Sequence, residues 1–259
     1  MGFDRERIKE NARTHYELNK WNNALVTFIS FMVNYAVNML GGFAISIAVL
    51  VVDIMFMSAV NNTISPMEDE GFAAYEAVAV LSGAVSFVLL MVLSLVFSCM
   101  TTGVINMGQS VWFHKSIHQD KLGVGECFAP FKNGYKGNFM LMLRKYTFIM
   151  LWSLLFYIPG YIKTYEYSLA EYIKAENPQL DNKKVLEMSR TMTNGYKMDL
   201  FLLDLSFIGW FILTMFTGTI LGYLYVFPYY YAAKAFAYEE IKASAILNGR
   251  VNEADFMSV

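Results

Sequence analysis

Long apolar runs separated by short polar segments dominate the sequence. The five runs are Ala24–Val60, Ala73–Gly108, Phe139–Ile162, Leu200–Phe216 and Gly218–Ala237. Because an α-helix of about 20 residues crosses the hydrocarbon core of a bilayer, we expect each run to form a membrane helix. The first run is longer than one crossing needs. No charged residue or proline accompanies Gly41-Gly42, so we expect one overlong helix there rather than two crossings.

The polar segments carry signals of their own. Residues 4–20 place Ile8, Ala12 and Tyr16 at helical spacing. This spacing predicts an amphipathic helix, which either lies on the membrane surface or leads into the first run in solvent. The acidic segment Asn61–Phe72 is predicted to be a loop.

Asp181–Asn194 has the pattern of a second amphipathic helix. Asp181 is a favoured residue type for the start of a helix, and Asn194-Gly195 is a favoured pair for its end. The apolar side of this predicted helix consists of Val185, Met188 and Met192.

Two prolines predict interruptions of the apolar runs. Pro159-Gly160 is expected to break the helix that precedes it. Pro228 is expected to kink its helix, and the three tyrosines that follow it, Tyr229–Tyr231, are typical of an aromatic belt at a membrane surface.

Composition supports a lipid-facing surface. Of 259 residues, 56% are hydrophobic and only 16% are charged, whereas soluble domains carry roughly 25% charged residues. The net charge of −2 gives no reason to expect a nucleic-acid partner. Two cysteines, Cys99 and Cys127, are not expected to form a disulfide.

The positive charges predict the topology. All 20 lysines and arginines lie outside residues 24–114 and 198–233. The positive-inside rule therefore places the four basic blocks, and both termini, in the cytoplasm. Residues 139–176 must then leave the cytoplasm and return. They return either through Tyr161–Ile173 or as a re-entrant hairpin that turns at Pro159-Gly160.

We therefore predict an all-α polytopic bundle with six membrane segments. The alternative is five segments, with residues 163–198 outside the cell. The chain is treated as one integral membrane domain. Its parts are an amphipathic N-terminal segment (1–23), the helical bundle (24–240) and a polar tail (241–259).

Polar residues within or beside the apolar runs are the candidate functional groups. Charged groups in a bilayer are costly and normally face other helices or water. The best constellation consists of Arg190, Lys197, Asp199 and Asp204, joined by Lys163, Glu166 and Glu171. It predicts either a structural lock that pins the 182–194 helix to the bundle, or a polar cavity that binds a lipid head group or an anionic partner. Further intramembrane polar residues are Asn34, Asn38 and Asp53.

No nucleotide-binding or hydrolase motif occurs in the sequence, and no catalytic pair is visible. His114 and His118 have a spacing compatible with zinc, but no HExxH motif surrounds them. We therefore expect interfacial histidines, no metal, no cofactor and no enzymatic activity.

Four stretches together resemble a known family. They are LWSLLFYIPGYIKTYEYSLAEYI, ENPQL, SRTMTNGYKMDLFLLDLSFIGW and VFPYYYAAKAFAYEE. The sequence resembles the bacterial integral-membrane family catalogued as domain of unknown function 975, most clearly over residues 100–240. The resemblance implies a multi-helix protein of the inner membrane. It implies no activity, substrate or catalytic residue.

These observations predict an accessory, scaffold or partner-binding protein of the cell membrane. Its expected partners are membrane lipids and either another membrane protein or a second copy of the chain. The alternative is a transporter or channel for a small amphiphile or ion that uses Asp53 and Asp204 as intramembrane polar sites. No inverted repeat is detectable in the sequence, which weakens that alternative.

Overall fold

α-Helices form nearly all of the computed structural model, which describes residues 3–64, 68–119, 122–217 and 219–256. The helices are α1 (Arg5–Leu18), α2 (Lys20–Ile64), α3 (Glu68–Ser98), α4 (Val104–Ser116), α5 (Ala129–Lys132), α6 (Tyr135–Leu155), α7 (Tyr157–Glu166), α8 (Ala170–Glu176), α9 (Asn182–Thr193), α10 (Lys197–Leu205), α11 (Ile208–Phe216) and α12 (Phe227–Leu247). Cys99–Gly103 and Gly222–Val226 are π-helical turns, and Val124–Phe128 and Glu253–Asp255 are 3-10 turns. No strand occurs in the described ranges, so the all-α fold class is confirmed.

By length and composition, three stretches of the described residues could cross a membrane. They are Lys20–Asn62, Tyr75–Ser116 and Lys197–Phe216. In the first two, only 6% and 0% of the most apolar window is buried inside the protein. Apolar surface of this extent needs lipid or protein to cover it. A membrane protein is therefore indicated, while the count of six crossings stays a prediction.

The chain divides into two compact units, one formed by residues 1–32 and 103–259 and the other by residues 33–102. The second unit is a pair of helical segments. One of them belongs to α2, which runs unbroken past Gly41-Gly42 as expected. Contacts that join the pair include Asn38 with Thr102, Gly41 with Phe97, Asp53 with Ser86, and Met57 with Ser82. The contact positions rise along α2 as they fall along the partner segment, so the two run antiparallel.

In the first unit, α1 is a core helix. The predicted helix is present, with Ile8, Ala12 and Tyr16 at most 2% exposed. These side chains belong to the protein core, and α1 packs on α12. The expectation that this face lies on the membrane surface is therefore wrong: it is covered by protein.

The break between α6 and α7 lies at Phe156 rather than at Pro159-Gly160. Phe156 is extended, with φ −156° and ψ 140°. Pro159 lies in the first turn of α7, where a missing N–H costs no intrahelical hydrogen bond. Gly160 lets α7 fold back closely on α6, because a Cβ there would come within 2.0 Å of Ser153 Oγ and 2.6 Å of Ser153 Cα. The predicted break was therefore wrong by three residues.

Three other expectations are corrected. The acidic segment 61–72 is not one loop, since α2 continues to Ile64 and α3 begins at Glu68, while residues 65–67 lie outside the described ranges. The second apolar helix is interrupted by the π-helical turn Cys99–Gly103. The predicted aromatic belt, Tyr229–Tyr231, packs in or against the protein core instead of facing a membrane surface. Gly218, which opens the last apolar run, also lies outside the described ranges.

The boundaries of α9 are confirmed. The Asp181 side chain accepts a hydrogen bond from the backbone N–H of Lys183, and the helix begins at the next residue, Asn182. At the other end, Gly195 has a φ of +91°, a conformation that glycine adopts without strain. The predicted apolar side is buried: Val185, Met188 and Met192 are at most 5% exposed.

Gly160→Ala should destabilise the first unit, because the added methyl would meet the backbone of α6. Overpacking of this kind costs about 1–3 kcal/mol. Gly209→Ala in α11 is the control, since a Cβ there would have no atom within 4 Å. Thermal unfolding in detergent should show a lower midpoint for Gly160→Ala only. Equal midpoints for the two variants would contradict the close approach of α6 and α7.

Candidate functional site

A polar cavity of about 300 Å³ lies among α6, α7, α8, α10 and α12. Pairs of residues four apart line it from three of these helices: Tyr161 with Tyr165, Leu200 with Asp204, and Tyr230 with Lys234. Residues at this spacing share one helix face, so both members of each pair point to the cavity. Further lining residues are Ser110, Lys145, Thr164, Ser168, Leu169, Glu171, Tyr172 and Tyr231.

Asp204 is the centre of the hydrogen-bond network in this cavity. Lys234 Nζ lies 2.6 Å from Asp204 Oδ1. The Tyr230 hydroxyl donates to the same oxygen at 3.1 Å, and the Tyr165 hydroxyl donates to Oδ2 at 3.0 Å. The side chains of Lys234 and Asp204 are 17% and 23% exposed. Pairing and hydrogen bonding offset the cost of removing these charges from water.

A second ion pair lines the same cavity. Lys145 Nζ lies 2.5 Å from Glu171 Oε1, and both side chains are about nine-tenths buried. The cavity therefore presents two ammonium groups and two carboxylates, together with several hydroxyl groups. Lys234 also lies over the rings of Tyr165 and Tyr230, at 5.7 and 5.5 Å from the centroids, a favourable arrangement for a desolvated cation.

A separate cationic cluster surrounds Glu166, the last residue of α7. Lys163 and Lys197 each place Nζ 2.5 Å from a Glu166 oxygen, and Arg190 Nε lies 4.0 Å away. Three cations thus surround one carboxylate, and the cluster has a net positive charge. Arg190 is 67% exposed, whereas Glu166 is 7% exposed. The free surface of the cluster is therefore cationic.

The backbone of Glu166 also joins two helices. Its carbonyl accepts hydrogen bonds from Ser189 Oγ at 2.7 Å and from Thr193 Oγ1 at 3.4 Å. Both donors lie on α9, so α9 is tied to the end of α7. This geometry has the form of the predicted lock between the 182–194 helix and the bundle.

The structure separates the residues that sequence analysis grouped together. Lys163, Glu166, Arg190 and Lys197 form the cationic cluster, whereas Asp204 and Glu171 line the cavity. The Asp199 side chain makes no hydrogen bond or ion pair within the part of the chain that the structure describes.

Four residues of the network escaped the sequence analysis as site residues: Lys145, Tyr165, Tyr230 and Lys234. The detectable signal was the presence of two lysines, Lys145 and Lys234, inside apolar runs. Tyrosines near a membrane are expected at its surface. For this reason Tyr165 and Tyr230 were not predicted to donate hydrogen bonds inside the protein.

The predicted intramembrane polar residues lie in the second unit. Asn38 Nδ2 donates to Thr102 Oγ1 at 2.7 Å and to the Asn34 carbonyl at 2.8 Å. Asp53 Oδ1 accepts a hydrogen bond from Ser86 Oγ at 2.9 Å, within an apolar groove. These contacts connect α2 to the segment that follows it.

Neither cysteine forms a disulfide, as expected. Cys99 and Cys127 are both 1% exposed. Burial raises the pKa of the Cys127 thiol to about 11. This thiol is therefore protonated at neutral pH and unreactive.

The described residues form an all-α protein with paired charges in a buried cavity, and three of its helical stretches are long and apolar enough to cross a membrane. The model of the family described as "Protein of unknown function (DUF975)" matches residues 1–245. The chain belongs to this family, as the resemblance indicated. No curated protein and no solved structure is detectably similar to it.

Asp204→Asn should destabilise the protein by about 3–5 kcal/mol, because it leaves the Lys234 ammonium buried without a counter-charge. Asp199→Asn, on the same helix, should change stability by no more than about 0.5 kcal/mol. Thermal unfolding in detergent, followed by circular dichroism, measures both effects. A similar small shift for the two variants would show that Asp204 is not held by the network described above.

Proposed function

We propose that this chain is a non-catalytic accessory protein of the bacterial cell membrane that binds the phosphate-bearing head group of an anionic lipid. The observation that carries the proposal is the cationic cluster, in which Lys163, Arg190 and Lys197 surround a single carboxylate. Phosphate oxygens accept charge-assisted hydrogen bonds from arginine and lysine, and such bonds are among the strongest in proteins. Basic pockets between membrane helices are a recurring site for lipid head groups.

The proposed topology places this cluster on the cytoplasmic side, together with both termini. The support is the distribution of basic residues, which are absent from 24–114 and 198–233. The chain would cross the membrane six times, with the α6–α7 pair as one of the excursions. An anionic head group in the inner leaflet could then reach Arg190 without crossing the hydrocarbon core.

The pairing of charges in the cavity supports a binding role over a catalytic one. Asp204 and Glu171 each have a lysine ammonium within 2.6 Å. A carboxylate that is engaged by a lysine of another helix is not placed to take a proton from a substrate. In the proposal, these pairs keep α6, α8, α10 and α12 in place beside the cationic cluster.

Transport is the second candidate function, and one observation in the second unit favours it. Asp53 lies in an apolar groove of α2 and α3, where Ser86 donates to its carboxylate. A carboxylate in such surroundings is typical of sites that take up an ion or a proton. Under this alternative, Asp53→Asn would abolish substrate movement in proteoliposomes while leaving lipid binding intact.

Arg190→Gln should weaken the binding of phosphatidylglycerol about tenfold, the loss expected for one charge-assisted hydrogen bond. Lys183→Gln is the matched control, because it removes one exposed positive charge from the same helix, α9, away from Glu166. Native mass spectrometry of the full chain, with phosphatidylglycerol and phosphatidylcholine in competition, measures the retained lipid. Selective retention of phosphatidylglycerol is expected for the unaltered chain and for Lys183→Gln.

Two results would contradict the proposal. One is equal retention of the two lipids by the unaltered chain. The other is an equal loss of phosphatidylglycerol in Arg190→Gln and Lys183→Gln, which would assign binding to overall charge rather than to the cluster. Capture of a membrane protein partner that depends on Arg190, without lipid selectivity, would instead favour a scaffold role.

A further inference from the structure

Two histidines at the end of α4 meet a glutamate of α12. His114 and His118 are one helical turn apart, and both approach the same oxygen of Glu239. His114 Nδ1 lies 3.2 Å from Glu239 Oε1, and His118 Nε2 lies 3.1 Å from it. The three candidate ligand atoms all lie within 4.8 Å of one another. Glu239 follows His118 by 121 positions, so no local sequence motif could have indicated this group.

The other ring nitrogen of His114 has a carboxylate partner of its own. Nε2 lies 3.1 Å from Glu176 Oε1. Both oxygens of Glu176 also accept from Lys242 Nζ, at 2.7 and 2.6 Å, as expected of an ionised carboxylate. Nε2 must therefore carry a proton and donate it to Glu176. In a neutral imidazole the remaining nitrogen, Nδ1, then has a free lone pair.

A carboxylate oxygen of Glu239 lies beside that lone pair, which is electrostatically unfavourable. The His114 side chain is 8% exposed, and its Nδ1 makes no hydrogen bond within the described residues although Glu239 Oε1 is 3.2 Å away. An imidazolium would need a well-aligned Nδ1–H to use this carboxylate, and the hydrogen-bond geometry is not met. A buried lone pair beside a carboxylate oxygen is instead the arrangement that a metal cation would stabilise.

We propose that His114 Nδ1, His118 Nε2 and Glu239 bind a divalent transition-metal ion, with Zn²⁺ as the best match. Zinc–nitrogen bonds of about 2.0–2.1 Å at tetrahedral angles place neighbouring ligand atoms about 3.3–3.4 Å apart. The two nitrogen–oxygen distances of 3.2 and 3.1 Å are close to this spacing. Two histidines and one glutamate are a known zinc ligand set, and an open fourth position can hold water.

The surroundings of the three ligands fit such a site. Glu176 orients the His114 ring from behind, as carboxylates commonly do for metal-bound histidines. His118 is 56% exposed, so an ion can enter from solvent. The bound ion would join the end of α4 to α12 and stabilise the folded chain, because the unfolded chain does not hold the three ligands together.

The test uses the full-length chain, purified in detergent and stripped of metal with EDTA. Isothermal titration with ZnCl₂ should show one zinc ion bound per chain, and zinc should raise the midpoint of thermal unfolding. His118→Ala and Glu239→Gln should each weaken zinc binding at least tenfold. Glu126→Gln removes a nearby exposed carboxylate and should bind zinc like the unaltered chain.

His118 is exposed, so its variant should fold, and an unchanged unfolding midpoint in EDTA checks this. Replacement of zinc by Co²⁺ should give the visible absorption of a four- or five-coordinate site, which His118→Ala should lose. The proposal is wrong if the stripped chain binds no zinc at micromolar concentration. It is also wrong if His118→Ala and Glu239→Gln bind zinc as tightly as Glu126→Gln.

Discussion

Charges that leave water must find opposite charges, and this constraint organises the first unit. Lys234 on α12 and Asp204 on α10 lie 2.6 Å apart, and Lys145 on α6 and Glu171 on α8 lie 2.5 Å apart. Removal of one partner from such a pair is far more costly than removal of both. The two pairs therefore connect α10 with α12 and α6 with α8 at the cavity. The tyrosine hydroxyls that donate to Asp204 make the same arrangement more specific.

The clusters around Glu166 and His114 differ from the cavity in their balance of charge. In the cavity, each ammonium group has its own carboxylate. Around Glu166 the cations are in excess, and Arg190 is mostly exposed. Around His114, Nδ1 lies 3.2 Å from a Glu239 oxygen and has no hydrogen-bond partner among the residues that the structure describes. The excess of cations around Glu166 favours the binding of an anion. The approach of His114 to Glu239 favours the binding of a metal ion. The cavity itself requires neither, which is why we assign it a structural role.

Local signals allowed the helices to be predicted wherever the chemistry is local. Asp181 and Asn194-Gly195 mark the ends of α9 because an N-cap carboxylate and a left-handed glycine act within one turn. The turn at Phe156 carried no such signal: its extended backbone is permitted to any residue, and the nearby proline and glycine serve the start of α7 and its packing. The helix at residues 5–18 was predicted, but an amphipathic face does not say whether lipid or protein covers it.

The site was less predictable because the ion pairs in its cavity join residues that lie far apart in the sequence. The charged residues in and beside the apolar runs are visible in the sequence, but Asp204 and Arg190 are close along the chain and were therefore predicted to form one cluster. The partner of Asp204 is Lys234, 30 positions later, and the partner of Lys145 is Glu171 on another helix. Such pairings depend on how the helices pack, and hydrophobic periodicity alone does not determine that.

The central claim is that Asp204 and Lys234 act as a unit inside the helical bundle. A double-mutant cycle tests it most directly, with the unfolding free energies of Asp204→Asn, Lys234→Met and the double variant measured in the same detergent. If the pair is formed, the two substitutions are not additive. The unfolding free energy of the double variant should exceed the value expected from the sum of the two single effects by at least about 2 kcal/mol. Additivity within about 0.5 kcal/mol would show that the two residues do not interact, and would contradict the account.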